Sequence, residues 1–320
     1  MSDVLLSVED LTVQYATRRG IFNAVDGVSF TLNRGESLGI LGESGCGKST
    51  LAMSLLRLLP ENGKITGGRI FFDDVDLLPV DEELMRRYRW NRIAMVFQSA
   101  MNSLDPIYRV RDQITEALEL HKSVTGKEAR HRVNELFETV GVDTAFADRF
   151  PHEFSGGMKQ RAVIAMALAC DPDLLIADEP TTALDVIVQD RVVGELREIQ
   201  KRMGMSMIYI SHDTGVIAEI TDKVAVMYAG RIVEMGDTLD VFQSPAHPYT
   251  RALLSSVPGV TGERQELVPL AGSPPDLIEP PDGCRFHPRC PAVTEVCSRI
   301  APRPEERGRE HWASCWHPVG

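Results

Sequence analysis

Polar and apolar positions alternate over LLSVEDLTVQY (5–15) and again over AVDGVSFTLNRGES (24–37). With their β-branched residues and the RGE turn, these segments predict two strands joined by a turn. SLGILG (37–42) is a short unbroken apolar run ending in glycine, which predicts a buried strand feeding a loop. LAMSLLRLL (51–59) predicts a helix, and GRIFFDDVDLL (68–78) a strand pair at a sheet edge. The period then lengthens. ITEALELHKSVTGKEARHRVNELFETVGV carries apolar residues at helical spacing, broken at Thr125-Gly126, and predicts a helical insertion. Three buried strands follow, DLLIAD (173–178), SMIYIS (206–211) and KVAVMYAG (223–230). A helix over VIVQDRVVGELREIQKRMG (186–204) separates the first two, and this alternation implies parallel β-structure. From Pro245 onward Pro, Gly and Cys accumulate and periodicity fades, which predicts an appendage with its own means of staying folded.

The 320 residues suffice for a large α/β domain plus such an appendage. A net charge of −12 argues against non-specific nucleic-acid binding, so no nucleic-acid partner is expected. The most apolar long stretch, AVIAMALAC (162–170), is about half the span of a membrane helix. The N-terminus lacks the basic region of a signal peptide. The expected place is the cytosol, with any membrane role supplied by a partner. Of six cysteines, Cys284, Cys290, Cys297 and Cys315 crowd the last 37 residues, which suggests a metal and not disulfides in a reducing compartment.

GESGCGKST (42–50) fits G-x4-G-K-[ST], follows a predicted strand and opens a predicted helix. Gly42, Gly45 and Gly47 allow a tight turn that aims N–H groups at phosphate oxygens, and the helix N-terminus favours the anion. Lys48 is expected to reach the β- and γ-phosphates and Ser49 to ligate Mg²⁺. DLLIADEP ends an apolar strand in two adjacent acids that point different ways. Asp178 is assigned to the metal and Glu179 to the general base. Gln98, closing RIAMVFQ, and His212, closing SMIYISH, are polar groups at strand ends that can reach phosphate chemistry at the edge of a parallel sheet. FSGGMKQR (154–161) opens a second helix with Ser155 and two glycines, a second anion-seeking helix end.

Over residues 5–245 the ordered motifs resemble the ABC ATPase family: phosphate loop, Gln98 as Q-loop, signature at 154–158, acidic strand, ALD at 183–185, and His212 as switch histidine. The resemblance implies an α/β fold. It is a RecA-like P-loop NTPase built as an ABC cassette, with an antiparallel β subdomain and a helical subdomain at about 99–170. It implies a nucleotide-binding domain over 1–243 and a small cysteine-rich extension over 244–320. It further implies a head-to-tail dimer, with ATP between the phosphate loop of one cassette and the signature helix of the other. ATP contacts then come from Gly42, Ser44, Gly45, Cys46, Gly47, Lys48, Ser49 and Thr50. Tyr15 stacks on adenine. Ser155, Gly156 and Gly157 touch the partner's γ-phosphate. Gln98 joins Ser49 and Asp178 at Mg²⁺, and Glu179, His212, Gln98 and Lys48 form the catalytic set. One departure is FSGGM where the family has LSGGQ, so Met158 removes an amide. Cys46, inside the loop, is expected to be a site of inhibition by thiol reagents.

Four thiolates suit either zinc or an iron–sulfur cluster, although no CxxC is present to nucleate zinc. SPAHPYTRALLSSVPG (244–259) and GCRFHPRCP (283–291) are similar to the extension of oligopeptide and dipeptide importer ATPases, and with the signature look like the D-type subunit. That resemblance implies a [4Fe–4S] cluster on the four cysteines, with Zn²⁺ the alternative. It implies a second ABC ATPase subunit, two integral membrane permeases and an extracytoplasmic substrate-binding protein. The location implied is peripheral, on the cytoplasmic face of the inner membrane. SAMNSLDP, after Gln98, is expected to help receive a helix of the membrane subunit. The expected function is ATP-driven uptake of di- or oligopeptides. The rivals are import of nickel or an oligosaccharide, a soluble non-transport ABC ATPase, and a passive metal-binding regulatory module.

Overall fold

In the computed structural model, which describes residues 3–98, 102–182, 184–255, 272–308 and 310–319, the alternating N-terminal segments become long strands. They are β1 (Val4–Thr17) and β2 (Gly20–Asn33), followed by β3 (Ser37–Leu41), α1 (Lys48–Leu55), β4 (Gly63–Phe72) and β5 (Val75–Asp76). Next come α2 (Glu82–Tyr88), β6 (Ile93–Val96), α3 (Val110–Lys122), α4 (Gly126–Thr139), α5 (Gly156–Ala167), β7 (Leu174–Asp178), α6 (Val186–Met203) and β8 (Ser206–Ser211). The chain closes with α7 (Thr214–Ile220), β9 (Lys223–Tyr228), β10 (Arg231–Asp237), α8 (Thr238–Gln243), α9 (Pro248–Ser255), α10 (Glu295–Arg299), β11 (Glu305–Gly308) and β12 (His311–Ala313). Two compact units result. One gathers the chain to Leu32, Ser37–Leu78 and everything from Ile210, and the other Asn33–Glu36 with Pro79–Tyr209.

In the first unit β1, β2, β4 and β5 form an antiparallel sheet in the order β2-β1-β4-β5. The predicted edge pair is present. Asp73 and Asp74 both take positive φ and make the two-residue turn between β4 and β5. α1 begins at Lys48, three residues before the predicted helix, because the lysine and hydroxyl residues of the phosphate loop are themselves its first turn. β3 is buried throughout and pairs in parallel with β9, Leu38 opposite Lys223 and Leu41 opposite Val226. β9 turns through Ala229 and Gly230, again both at positive φ, into antiparallel β10.

Described residues after Pro245 join the first unit's sheet and core. β12 pairs antiparallel with β10, Glu234 opposite Ala313, and extends the sheet. Glu234, fully buried, accepts N–H groups from Ala246 (2.7 Å) and His247 (2.8 Å), just ahead of α9, and contacts His311 Nε2 at 2.8 Å. A buried carboxylate survives only with such partners, so this one fixes where α9 starts. Tyr249 packs on Tyr228 with ring centroids 4.6 Å apart, and Phe286 lies 5.3 Å from Tyr228 and 5.4 Å from Tyr249. These aromatics are the apolar anchor that the segment's composition conceals.

In the second unit β8, β7 and β6 lie side by side, and β6 runs parallel to β7 with Val96 opposite Ala177. α3, α4 and α5 pack together, as the helical spacing predicts; Ile114, Val133 and Phe137 are buried between them. α3 stops at Lys122, where Ser123 takes the left-handed conformation, close to the predicted break. α6 is capped at its start by Asp185, whose side chain accepts the Val188 N–H at 3.0 Å, and at its end by left-handed Gly204.

His247 is buried, and desolvation pushes its pKa from 6.5 down to about 3. Its Nδ1 accepts the Tyr249 N–H, so the folded chain keeps the ring neutral. Below pH 6.5 the unfolded chain takes up a proton that the folded chain refuses. Stability is therefore expected to fall as pH drops from 6.5 toward 3, by up to about 1.4 kcal/mol per unit from this group, and to be flat above. Urea unfolding between pH 7.5 and 5 should show this extra slope in the native chain and its loss in His247→Asn.

Candidate functional site

The loop after β3 is shaped by what a side chain at two glycines would strike. A Cβ on Gly42 would lie 2.2 Å from the Met227 carbonyl oxygen, and one on Gly47 2.2 Å from that of Ala24. Gly47 also has φ 108° and stands at the N-cap of α1 with no side chain to cap it. The first intrahelical bond is Leu51 N–H to Gly47 O at 2.9 Å, so the amides of Lys48, Ser49 and Thr50 open the helix without intrahelical acceptors. An uncapped, backbone-lined helix start of this kind favours an anion. Lys48 is 6% exposed, and its ammonium donates to Gly42 O (2.7 Å) and Glu43 O (3.0 Å). Ser44 and Gly45 are exposed at the loop's tip, and Ser49 and Thr50 are half-buried.

Cys46 is a correction. It is 3% exposed, burial pushes its thiol up, and its backbone oxygen accepts the Gly230 N–H at 2.8 Å. A covered sulfur that resists ionising is a slow target for thiol reagents. Tyr15 lies against Phe22, ring centroids 5.8 Å apart, and its ring edge occupies the space over Gly63. An open cavity of about 550 Å³ beside Gly45 is lined by Thr17, Arg18, Arg19 and Phe22, with residues 275–278 opposite. Its wall includes Phe22, which no motif singles out, and not Tyr15. His212 is exposed directly after β8, one residue before Asp213, which caps α7.

The second unit holds the remaining candidates. Asp178 ends β7 and is buried, while Glu179 follows with φ 45°, in the left-handed region where a glutamate is strained. The β6–β7 register brings Gln98 level with it. Gln98 Nε2 donates to Glu179 Oε2 at 2.9 Å, and Thr182 Oγ1 donates to the same oxygen at 3.1 Å. The carboxylate is thereby aimed by two neutral donors. Ser155 is the N-cap of α5 and accepts the Met158 N–H at 3.3 Å. Gly157 faces α6 so closely that a Cβ would lie 2.8 Å from Val188 Cγ1. Beside this helix end lies a cavity of about 500 Å³, with Ser155, Gly156, Gly157, Leu184 and Asp185 in its lining. Ala183 of the ALD motif, residues 99–101 of SAMNSLDP and residues 256–259 of the HPYT segment lie outside the described residues.

All four C-terminal cysteines are free, and Cys297 is buried. Burial first, and then one another's charge, pushes the thiols of Cys284, Cys290 and Cys315 up, that of Cys315 to about 11. The Cys284 N–H donates to Cys297 O at 2.8 Å, tying two of the cysteine-bearing turns together. Among the described residues, however, no three or more His, Cys, Asp or Glu side chains are gathered as a set that would hold a metal ion. This leaves the zinc alternative, which needs its sulfurs at about 2.3 Å from one point, without a preformed ligand set. It also leaves the iron–sulfur expectation without a preformed ligand set. Neutral thiols do not attract one another, so without a bound centre their own chemistry does not gather them.

The chain thus carries a glycine-turned loop running into an uncapped helix, and a second, capped helix end beside its own cavity. The family described as ABC transporter matches residues 25–182, and the one described as oligopeptide/dipeptide transporter, C-terminal region, matches residues 233–297. Among solved structures, the dimeric ATP-binding cassette MJ0796 in a post-hydrolysis state with ADP and Pi superposes with a TM-score of 0.66 at 26% identity, over 73% of this chain and 99% of that one. The fold is thus that of an ABC cassette, and the chain belongs to the ATP-binding subunits of ABC transporters, which are ATPases. Within them it belongs to the dipeptide and oligopeptide transport ATP-binding proteins. It is 47% identical to the dipeptide transport ATP-binding protein DppD of Bacillus subtilis over 98% of this chain and 94% of the relative. It is 46% identical to the oligopeptide transport ATP-binding protein OppD of Salmonella typhimurium over 99% and 95%.

Gly47→Ala is expected to destabilise the chain by at least about 3 kcal/mol and to abolish ATP binding, since backbone clash adds to backbone strain. Gly45→Ala, also at positive φ but in open space, should cost about 1–2 kcal/mol. Chemical denaturation and titration with a fluorescent ATP analogue separate the two.

Proposed function

We propose that this chain powers the uptake of di- or oligopeptides, working peripherally on the cytoplasmic face of the inner membrane. The observation that carries its hydrolytic role is Glu179, held in a strained backbone with its carboxylate steered by Gln98 and Thr182. A carboxylate aimed by neutral donors can orient, or take a proton from, a water attacking the γ-phosphate. Lys48 and the first amides of α1 take the phosphates and offset the charge that builds on them. Ser49, Asp178 and Gln98 are the side chains that would hold Mg²⁺, which would neutralise charge across the β- and γ-phosphates. His212, exposed after its strand, contacts the γ-phosphate, and Tyr15 with the loop residues Ser44, Gly45 and Cys46 completes the ATP contacts.

A second cassette supplies the other half of each site. Ser155, Gly156 and Gly157 face its nucleotide, and Val186 and Ile187, each 81% exposed at the start of α6, give the pair apolar surface to cover. Two permease subunits dock near Gln98, where Phe97, Ile107 and Tyr108 are exposed apolar groups. No helix among the described residues is long and apolar enough to cross a membrane, which leaves the pore to those subunits. An extracytoplasmic binding protein chooses the peptide. What supports the peptide class is the match of residues 233–297 and the names of the relatives.

Glu179→Gln is expected to lower kcat by at least about 100-fold while ATP still binds. ATP turnover in the assembled transporter, beside nucleotide binding at equilibrium, checks both halves. Wild-type turnover in that variant would remove Glu179 from the role.

The same reading gives Cys284, Cys290, Cys297 and Cys315 a [4Fe–4S] cluster. Its support is four free thiols, of which Cys284, Cys290 and Cys315 are pushed up first by burial and in part by neighbouring cysteines, in a stretch with few apolar residues of its own. Thiolate ligation would draw the sulfurs together and staple the segment. Chain purified without oxygen from iron-replete cells should carry about four irons and the visible absorption of an iron–sulfide centre, both lost in Cys297→Ser. Colourless, iron-free protein that unfolds at the same temperature as Cys297→Ser would rule the cluster out.

A further inference from the structure

Two side chains from the C-terminal segment grip one residue of the phosphate loop. Arg289 donates through both terminal nitrogens to the carboxylate of Glu43, at 2.6 and 3.1 Å. The Tyr249 hydroxyl accepts the backbone N–H of Glu43 at 3.0 Å. The same residue's carbonyl oxygen receives the Lys48 ammonium at 3.0 Å. Every polar group of Glu43 is thus committed, with the N–H turned toward Tyr249 and the C=O toward Lys48. Arg289 has no slack either. Its side chain is 5% exposed, stands over the Tyr228 ring at 5.8 Å, and reaches the Tyr228 hydroxyl and Gly272 O at 3.4 Å. The Glu43 carboxylate raises its pKa above the ordinary arginine value. A planar fork matched to a carboxylate and closed off from water holds position as well as charge.

The loop it grips needs such help. Three of the six residues from Gly42 to Gly47 are glycine, and a glycine-rich stretch loses the most freedom when a ligand orders it. A brace already in place before the nucleotide arrives lowers that loss and shows as affinity.

We propose that Arg289 and Tyr249 are positioning residues of the nucleotide site, presetting the phosphate loop through Glu43, so that the C-terminal segment is part of the ATP-binding apparatus. This rests on the reading of residues 42–50 as the nucleotide loop. Neither side chain touches nucleotide; both act through Glu43.

The test uses the full-length chain for binding and the assembled transporter for turnover. Arg289→Met is expected to raise Kd and KM for ATP about tenfold or more, with kcat within about twofold, as for loss of preorganisation. Arg289→Lys, which keeps charge but not the fork, should fall between. Tyr249→Phe should raise Kd by about two- to tenfold. The paired exchange Glu43→Arg with Arg289→Glu should recover most of the affinity that either single change loses. Inorganic tripolyphosphate should lose affinity in parallel with ATP, because the brace acts on the phosphate loop and not on the base. Arg289→Met with native Kd for both ligands, or with kcat lowered and KM unchanged, overturns the proposal. So does a paired exchange that recovers nothing while the variants melt at the native temperature. Lys48→Ala is the separate control: native ATP affinity in that variant would defeat the nucleotide reading itself, whereas lost affinity there with a native Arg289→Met defeats only the brace.

Discussion

A helix that must offer its first amides to a ligand cannot satisfy them with its own side chains. That constraint governs the unit around α1. Capping residues are excluded, so Gly47 stands where serine or aspartate would normally close the helix. The turn before it must be tight, so backbone oxygens of Ala24 and Met227 crowd the two glycines. A loop with so little covalent stiffness is then held by its surroundings. Gly230 bonds Cys46, Tyr249 bonds the Glu43 amide, and Arg289 holds the Glu43 side chain.

The braces explain why the C-terminal part is built as it is. Glu234 positions the start of α9 and so places Tyr249. Phe286 wedges between Tyr228 and Tyr249. On either side of it, Arg285 pairs with Asp26 of β2 at 2.5 Å and Arg289 pairs with Glu43. Asp26 is opposed by burial, yet Arg285 and Arg231 win and hold its carboxyl below the usual range. The cysteine-bearing turns therefore stand on two ion pairs and an aromatic wedge, whatever their thiols ligate.

Much of this was legible in the sequence because its physics is local. The phosphate loop, the strand that feeds it, the Thr125-Gly126 break and the Asp185-to-Gly204 helix each follow from spacing and cap residues within one window. The pairing of Gln98 with Glu179 needed one step more, the parallel register of two apolar strands. What escaped was long-range. β10 carries its signal in the Ala229-Gly230 turn but reads as an ordinary loop exit until β9 is beside it. Glu234 looks like a surface acid in RIVEMGD, and only the fold shows it fully buried. Phe22 lines the cavity beside Gly45 and packs on Tyr15, which no periodicity reports. The cysteines were read from spacing, and spacing does not tell how far apart unligated sulfurs rest.

The distance along the chain between the loop and its braces has a consequence for biosynthesis. Tyr249 and Arg289 follow Glu43 by 206 and 246 positions. β12, which completes the sheet beside β10, lies later still. While the chain is emerging from the ribosome, residues 42–50 appear long before Met227, Tyr249 and Arg289, which crowd or hold them. A cassette still being translated therefore carries its nucleotide loop without the braces that Tyr249 and Arg289 supply.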